Sequence, residues 1–289
     1  MLTLSMKNAN RGFTLVEMLV TLAVSGIIMT GVYTAFKAQQ DSYLAQDQIA
    51  EVQQNIRASI NYMARDLRMA GFDPQVSGNF SIIDVRSRDL NNALPSATSD
   101  PVYPAISFTV DLNEDGNLDA NETTSYSLYE YPVGSSTDRD GIVDLSLTQG
   151  GSGRQLLGES IIAMGLAYSY ADDGGDVVTD TAGNVVWAID SDSDNDLDLN
   201  IDTNADGVID INDNVAGIAL PTASLPDPAN VDIANIVAVR IWLLAQTRVK
   251  DRNFHETKTF VVANQRITPN DQYRHRLVEM TVKCRNMGL

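Results

Sequence analysis

Oxygen-bearing side chains recur at alternate positions in the stretch Asp111-Leu-Asn113-Glu-Asp115-Gly116-Asn117-Leu-Asp119-Ala-Asn-Glu122. Calcium takes oxygen ligands only, and this is the order in which a twelve-position calcium loop supplies them. Asp111, Asn113 and Asp115 would each give a side-chain oxygen, and Asn117 its backbone carbonyl. Asp119 would bind directly or through water, Glu122 would close the shell with two oxygens, and Gly116 allows the sharp turn. The flanks read as strands, so the expectation is a loop joining two strands and not a helix-pair sensor. The alternative is an acidic turn facing solvent.

A second run has the same character. Asp202-Thr-Asn204-Ala-Asp206-Gly207-Val208-Ile-Asp210-Ile-Asn-Asp213 repeats the pattern with Asp in the last position, as in dockerin-type repeats, and Val208 would give its carbonyl. Asp190, Asp192, Asp194, Asp196 and Asp198 precede it, alternating as in thrombospondin type 3 repeats, and form a weaker candidate. Without metal, carboxylates at this density repel one another. Paired carboxylates also serve acid–base catalysis, but those sit in a cleft that separates their pKa values. Residues strung along polar Gly/Asn loops suit structural Ca2+ better.

The charge is distributed to match. Of 289 residues, 38 are acidic and 20 basic, a formal −18. Between Asp100 and Asp213 there are 24 acidic and two basic residues, a net of −22, so the remainder carries 14 acidic and 18 basic, or +4. Nucleic acid is excluded as a general partner, because its phosphates would be repelled. One cysteine excludes an intrachain disulfide and any multi-cysteine zinc site. Two histidines, His255 and His275, read as surface groups among basic and polar neighbours. There is no nucleophile motif and no phosphate-binding glycine loop, so no catalytic residue is assigned and the chain reads as a non-enzyme.

The elements that must position these loops begin with a long helix. Residues 13–36 form a 24-residue apolar run whose single charge is Glu17, long enough to cross a bilayer. An ionised carboxylate inside lipid costs at least ~2.5 kcal/mol, which points to a partner or a function. Ile49, Val52, Ile56, Ile60, Met63, Leu67 and Ala70 continue at helical spacing, and no proline occurs before Gly71, which reads as the C-terminal cap. A helix from Phe13 to Ala70 would be roughly 87 Å long. Beyond it the pattern turns to strand, over Ala105–Val110, Thr124–Tyr131, Ile162–Tyr170, Ile236–Leu244, Thr257–Ala263 and Leu277–Cys284, with polar loops at 134–153, 171–184 and 190–230. The fold class is α+β, a long N-terminal helix packed on an antiparallel sheet with long acidic loops.

The block Arg11-Gly12-Phe13-Thr14-Leu15-Val16-Glu17 resembles the leader junction of type IV prepilins, and "IVAVRIWLLAQTRV" with the ending "YRHRLVEMTVKCRNMGL" resembles the PilW-type minor pilins, related to the J-type pseudopilins of type II secretion. The resemblance implies a type IV pilin-like fold. It also implies a leader, 1–12, cut after Gly12 by a prepilin peptidase that methylates the new N-terminal Phe13. Losing Lys7 and Arg11 would take the charge from −18 to −20. Glu17 would pair with the N-terminal amine of a neighbouring subunit, where two charges buried together cost less than either alone. The expected domains are the leader, helix 13–71 with 13–36 in the inner membrane, and a periplasmic domain, 72–289, carrying calcium-type loops at 111–122 and 190–213. The implied partners are other minor and major pilins, the peptidase/N-methyltransferase and the membrane assembly platform, with a place at or near the pilus tip. A minor pseudopilin of type II secretion and a calcium-dependent pilus-tip adhesin are the alternatives. Minor pilins commonly close a loop with a disulfide. This chain cannot, and calcium would staple its loops instead.

Overall fold

The structure, a computed structural model, describes residues 13–86, 104–129, 143–172, 174–192, 194–220 and 231–287. The leader, with Gly12, lies outside them, as do Tyr131, the first part of the 134–153 loop and all of 221–230. One helix, α1, runs over Leu15–Leu67. The chain divides into two units, Met1–Asp47 and Gln48–Leu289.

In the first unit α1 buries nothing of its own. Every residue from Phe13 to Leu44 is exposed, including Leu15, Val16, Leu19, Ile27, Ile28 and Phe36. A helix apolar all round has no solvent-facing side, so it needs lipid or other helices as its environment.

In the second unit the helix changes to a single apolar face. Val52, Ile56, Ile60, Met63, Ala64 and Leu67 are buried and join one core with residues of the two main sheets. The expected stripe is thus the packing face, set by spacings of three and four. Asn55 Nδ2 donates to the Glu159 carbonyl at 2.6 Å and Tyr126 Oη to Asp66 at 2.7 Å, fixing the helix in rotation and height. Gly71 ends it at φ +73°, the left-handed cap predicted for that position.

One antiparallel sheet holds β1 (Ile82–Asp84), β2 (Ala105–Thr109), β3 (Thr123–Tyr129), β4 (Asp144–Gln149) and β5 (Gln155–Gly158) in sequence order. The following strands are β6 (Ile161–Tyr170), β7 (Ala188–Ile189), β8 (Asp196–Leu197), β9 (Leu199–Asn200), β10 (Ile218–Ala219), β11 (Val231–Asp232), β12 (Ile236–Gln246), β13 (Phe260–Val262), β14 (Gln265–Ile267) and β15 (His275–Lys283). Six of these form a second sheet in the order β10-β9-β7-β6-β12-β15, while β11 pairs β8 and β13 pairs β14. Its centre, β6 and β12, is buried along almost its whole length, as an inner strand covered on both faces must be. Trp242 and Leu244 of β12 feed a second core with Trp187, Ile201, Ile209 and Phe260.

Three expectations need correction. The polar segment 134–153 contains a strand, β4, whose Asp144 is buried and accepts from the Ser160 N–H at 2.7 Å. The described part of the 190–230 loop contains three two-residue strands, of which β9 and β10 extend the second sheet and β8 pairs β11. His275 is not a surface group: its side chain is fully buried, 3.7 Å from Asp271 and against Phe260, because it opens β15 under the β13–β14 hairpin. Cys284 follows β15, its N–H bonded to the Val237 carbonyl, and burial pushes its thiol up to about 12.

Candidate functional site

The 111–122 loop joins β2 to β3, between two strands as expected. Asp111 and Glu122 are each 1% exposed. The Asp111 carboxylate accepts the Gly116 N–H at 3.0 Å, across the turn. Asn113 Oδ1 accepts from Asp115 N at 3.0 Å and Asp115 Oδ1 from Asn117 N at 2.8 Å. Glu122 closes the loop, accepting from Leu112 N at 2.9 Å and from Asp119 N at 2.8 Å. Gly116 sits at φ +73° and Glu114 at +61°, so the backbone passes twice through the left-handed region.

The 202–213 loop between β9 and β10 repeats this wiring bond for bond. Asp202 accepts from Gly207 N at 2.8 Å, Asn204 Oδ1 from Asp206 N at 3.0 Å, and Asp206 Oδ1 from Val208 N at 2.8 Å. Asp213 accepts from Thr203 N and Asp210 N, both at 2.8 Å. Ala205 and Gly207 take the positive-φ places, at +56° and +82°. The two loops share little beyond their spaced oxygens, so the spacing dictates the geometry. Burial raises the Asp202 carboxyl above its ordinary value, the Gly207 N–H acts against it, and Asp213 and Asp206 add repulsion.

The 190–198 run is a shortened relative. Asn195, at φ +69°, stands where the other loops have glycine, and its N–H reaches Asp190 at 3.0 Å. Asp194 accepts from Asp196 N at 2.9 Å, and Ser191 N bonds Asp198 at 2.9 Å. Carboxylate oxygens of Asp190, Asp192 and Asp194 lie within 4.8 Å of one another and could hold a metal ion.

Calcium fits the first loop on an observation independent of its sequence. Asp111 Oδ1 is buried with no hydrogen-bond partner. An unsatisfied buried acceptor costs ~1–3 kcal/mol, more when charged, and a cation in the loop removes that cost. Asp111, Asn113, Asp115, the Asn117 carbonyl, Asp119 and Glu122 would hold it. In the second loop these would be Asp202, Asn204, Asp206, the Val208 carbonyl, Asp210 and Asp213.

Residues outside the loops brace them, and no sequence pattern singles these out. Gln75 Nε2 donates to the Glu114 carbonyl at 2.7 Å and Asn79 Nδ2 to the Gly116 carbonyl at 2.9 Å. For the second loop, Asn184 Nδ2 donates to the Ala205 carbonyl at 3.0 Å, and Arg266 Nη2 to the carbonyls of Asp210 at 2.7 Å and Asp213 at 3.2 Å. Trp187 is wired to the same place through the Ile201 N–H, 3.0 Å from its carbonyl. Tryptophan emission should therefore change when Ca2+ is added to metal-free protein. In a fluorescence titration the change should vanish in Asp202→Asn and persist in Asp111→Asn.

At the other end of the chain, Phe13 is 82% exposed. Glu17 engages Thr14 in a reciprocal cap: Thr14 N–H donates to Glu17 Oε2 at 3.1 Å, and Glu17 N–H to Thr14 Oγ1 at 3.2 Å. Thr-x-x-Glu is the capping-box signature, legible in the sequence but not read from it.

Helix and loops define a class, a helix long and apolar enough to cross a membrane followed by an α+β domain with acidic loops, and two family models match parts of the chain. Residues 7–33 match the prokaryotic N-terminal methylation motif. Residues 185–286 match the type IV pilus-assembly protein W family. Among solved structures, a type IV-like pilin from Thermus thermophilus aligns over 82% of this chain and 98% of its own, at 13% identity and a TM-score of 0.39. No curated protein matches.

Proposed function

We propose that this chain is made as a prepilin, cut between Gly12 and Phe13 and methylated on Phe13, and that it takes part in priming type IV pilus assembly. Residues 13–36 hold it in the inner membrane with the domain from 72 onward in the periplasm. Glu17 pairs with the N-terminal amine of an adjacent subunit as the helix passes from lipid into the filament. The peptidase/N-methyltransferase, the assembly platform and other pilins are its partners. Ca2+ in the 111–122 and 202–213 loops, and more weakly at Asp190–Asp196, staples a domain that has no disulfide.

The observation that carries the reading is the bare helix. From Phe13 to Phe36 it presents apolar side chains on every side, with Glu17 the one charge among them. Lipid solvates such a surface before assembly, and packed helices of other subunits do so after it. A deletion strain tests the role: surface pili counted by electron microscopy should be lost, and the wild-type gene should restore them. Normal pili with failed protein secretion would transfer the chain to a type II secretion system. Normal pili with normal secretion would overturn an assembly role altogether.

A further inference from the structure

The 111–122 loop does more than close a hairpin, because its outer side touches the segment that ends α1. After Leu67 the chain turns, and the Gly71 N–H reaches the Thr109 carbonyl at 3.0 Å, at the end of β2. The Asp111 N–H then bonds the Phe72 carbonyl at 2.9 Å. Three and seven residues beyond Phe72, Gln75 and Asn79 donate to the carbonyls of Glu114 and Gly116. A Cβ at Gly116 would meet Gln75 Cβ at 3.2 Å, so loop and segment are in van der Waals contact as well. The backbone of 114–116 thus faces two ways. Its outward carbonyls hold the helix stop, while Asp115 between them turns its carboxylate into the loop.

Five of the twelve residues from Asp111 to Glu122 are acidic, and Asp111 Oδ1 is buried without a partner. Empty, the loop is held against its own repulsion by hydrogen bonds alone. A divalent cation fixes the ligand side of the backbone and with it the acceptors on the other side. We propose that the 111–122 loop is a calcium-operated clasp, in which a bound ion locks the Gly71–Asn79 turn, and so the end of α1, onto the five-stranded sheet. The inference rests on the calcium reading of this loop and adds what the ion controls. The 202–213 loop has no such contact: its braces, Asn184 and Arg266, come from the second sheet's own surroundings.

Amide hydrogen exchange followed by mass spectrometry on the full chain in detergent micelles tests this, with Ca2+, with Mg2+ and with chelator. Ca2+ should slow exchange across 69–81 at least about tenfold in the wild type and in Asp202→Asn, and should leave it unchanged in Asp111→Asn. Because Asp111→Asn could perturb folding by itself, the double variant Gln75→Ala, Asn79→Ala is the decisive one. It should still bind calcium, measured by titration calorimetry, with affinity weakened by no more than about the tenfold coupling it has lost, and lose the slowing at 69–81. If Ca2+ binds and slows only 111–122 while 69–81 exchanges as before, the clasp is wrong and the calcium reading stands. If calorimetry finds no ion in the 111–122 loop, both fall.

Discussion

Replacing Glu17 by Gln is expected to abolish surface pili while leaving the protein inserted in the membrane. The structure makes this a sharper test than an alanine substitution. Glu17 has two jobs available to it, the local cap with Thr14 and the proposed pairing with a neighbour's amine. Glutamine fulfils the first, since Thr-x-x-Gln also forms a capping box, and fails the second because it has no charge. Loss of the cap alone costs ~0.5–2 kcal/mol at a helix end and should be tolerated. Losing the partner of a charge that must sit within lipid or packed helices leaves that charge uncompensated, a penalty of ~3–5 kcal/mol. The companion variant Thr14→Ala, which keeps the charge and weakens the cap, should still make pili. Electron microscopy of complemented deletion strains reads both. Pili with Glu17→Gln and none with Glu17→Ala would assign the residue to the helix cap.

The second large effect is on stability. Chelating calcium from the full chain in detergent should lower the thermal midpoint of its domain by about 5–10 °C for each site held at a hundredfold excess over its Kd. Such occupancy is worth about 2.7 kcal/mol, and each kcal/mol moves the midpoint of a domain this size about 2–4 °C. Asp111→Asn should remove part of the shift and Asp202→Asn another part, as followed by circular dichroism with and without chelator. A midpoint indifferent to chelation would count against calcium in both loops.

Much of this was written locally. The helix follows from a continuous apolar run and then a stripe at Val52, Ile56, Ile60, Met63 and Leu67, all of which reach the core. Its end was fixed by Gly71, one residue with one backbone preference. The twelve-position loops were legible because each oxygen acts on the backbone a few residues away, so their wiring is contained in the segment that shows it. The misses share the opposite property. Strand β4 is spelled DLSLTQ, and what makes it a strand is β3 on one side and β5 on the other. His275 is buried by a hairpin that begins 15 residues earlier in the chain. Gln75, Asn79, Asn184 and Arg266 brace loops lying 21 to 56 residues away in sequence, and nothing in their own neighbourhoods marks them out.

The one cysteine bears on how the chain fares in an oxidising compartment. Cys284 lies 1% exposed beside the Val237 carbonyl that its amide holds, and a thiol pushed to about 12 carries almost no thiolate at neutral pH. Oxidants and disulfide-exchange enzymes act on thiolate, so they have no purchase on the folded molecule. They can act only before β15 has paired with β12. A disulfide-linked dimer of this protein would accordingly be a record of chains that met an oxidant while their last strand was still undocked, and the thiol of the folded protein passes through oxidative surroundings chemically silent.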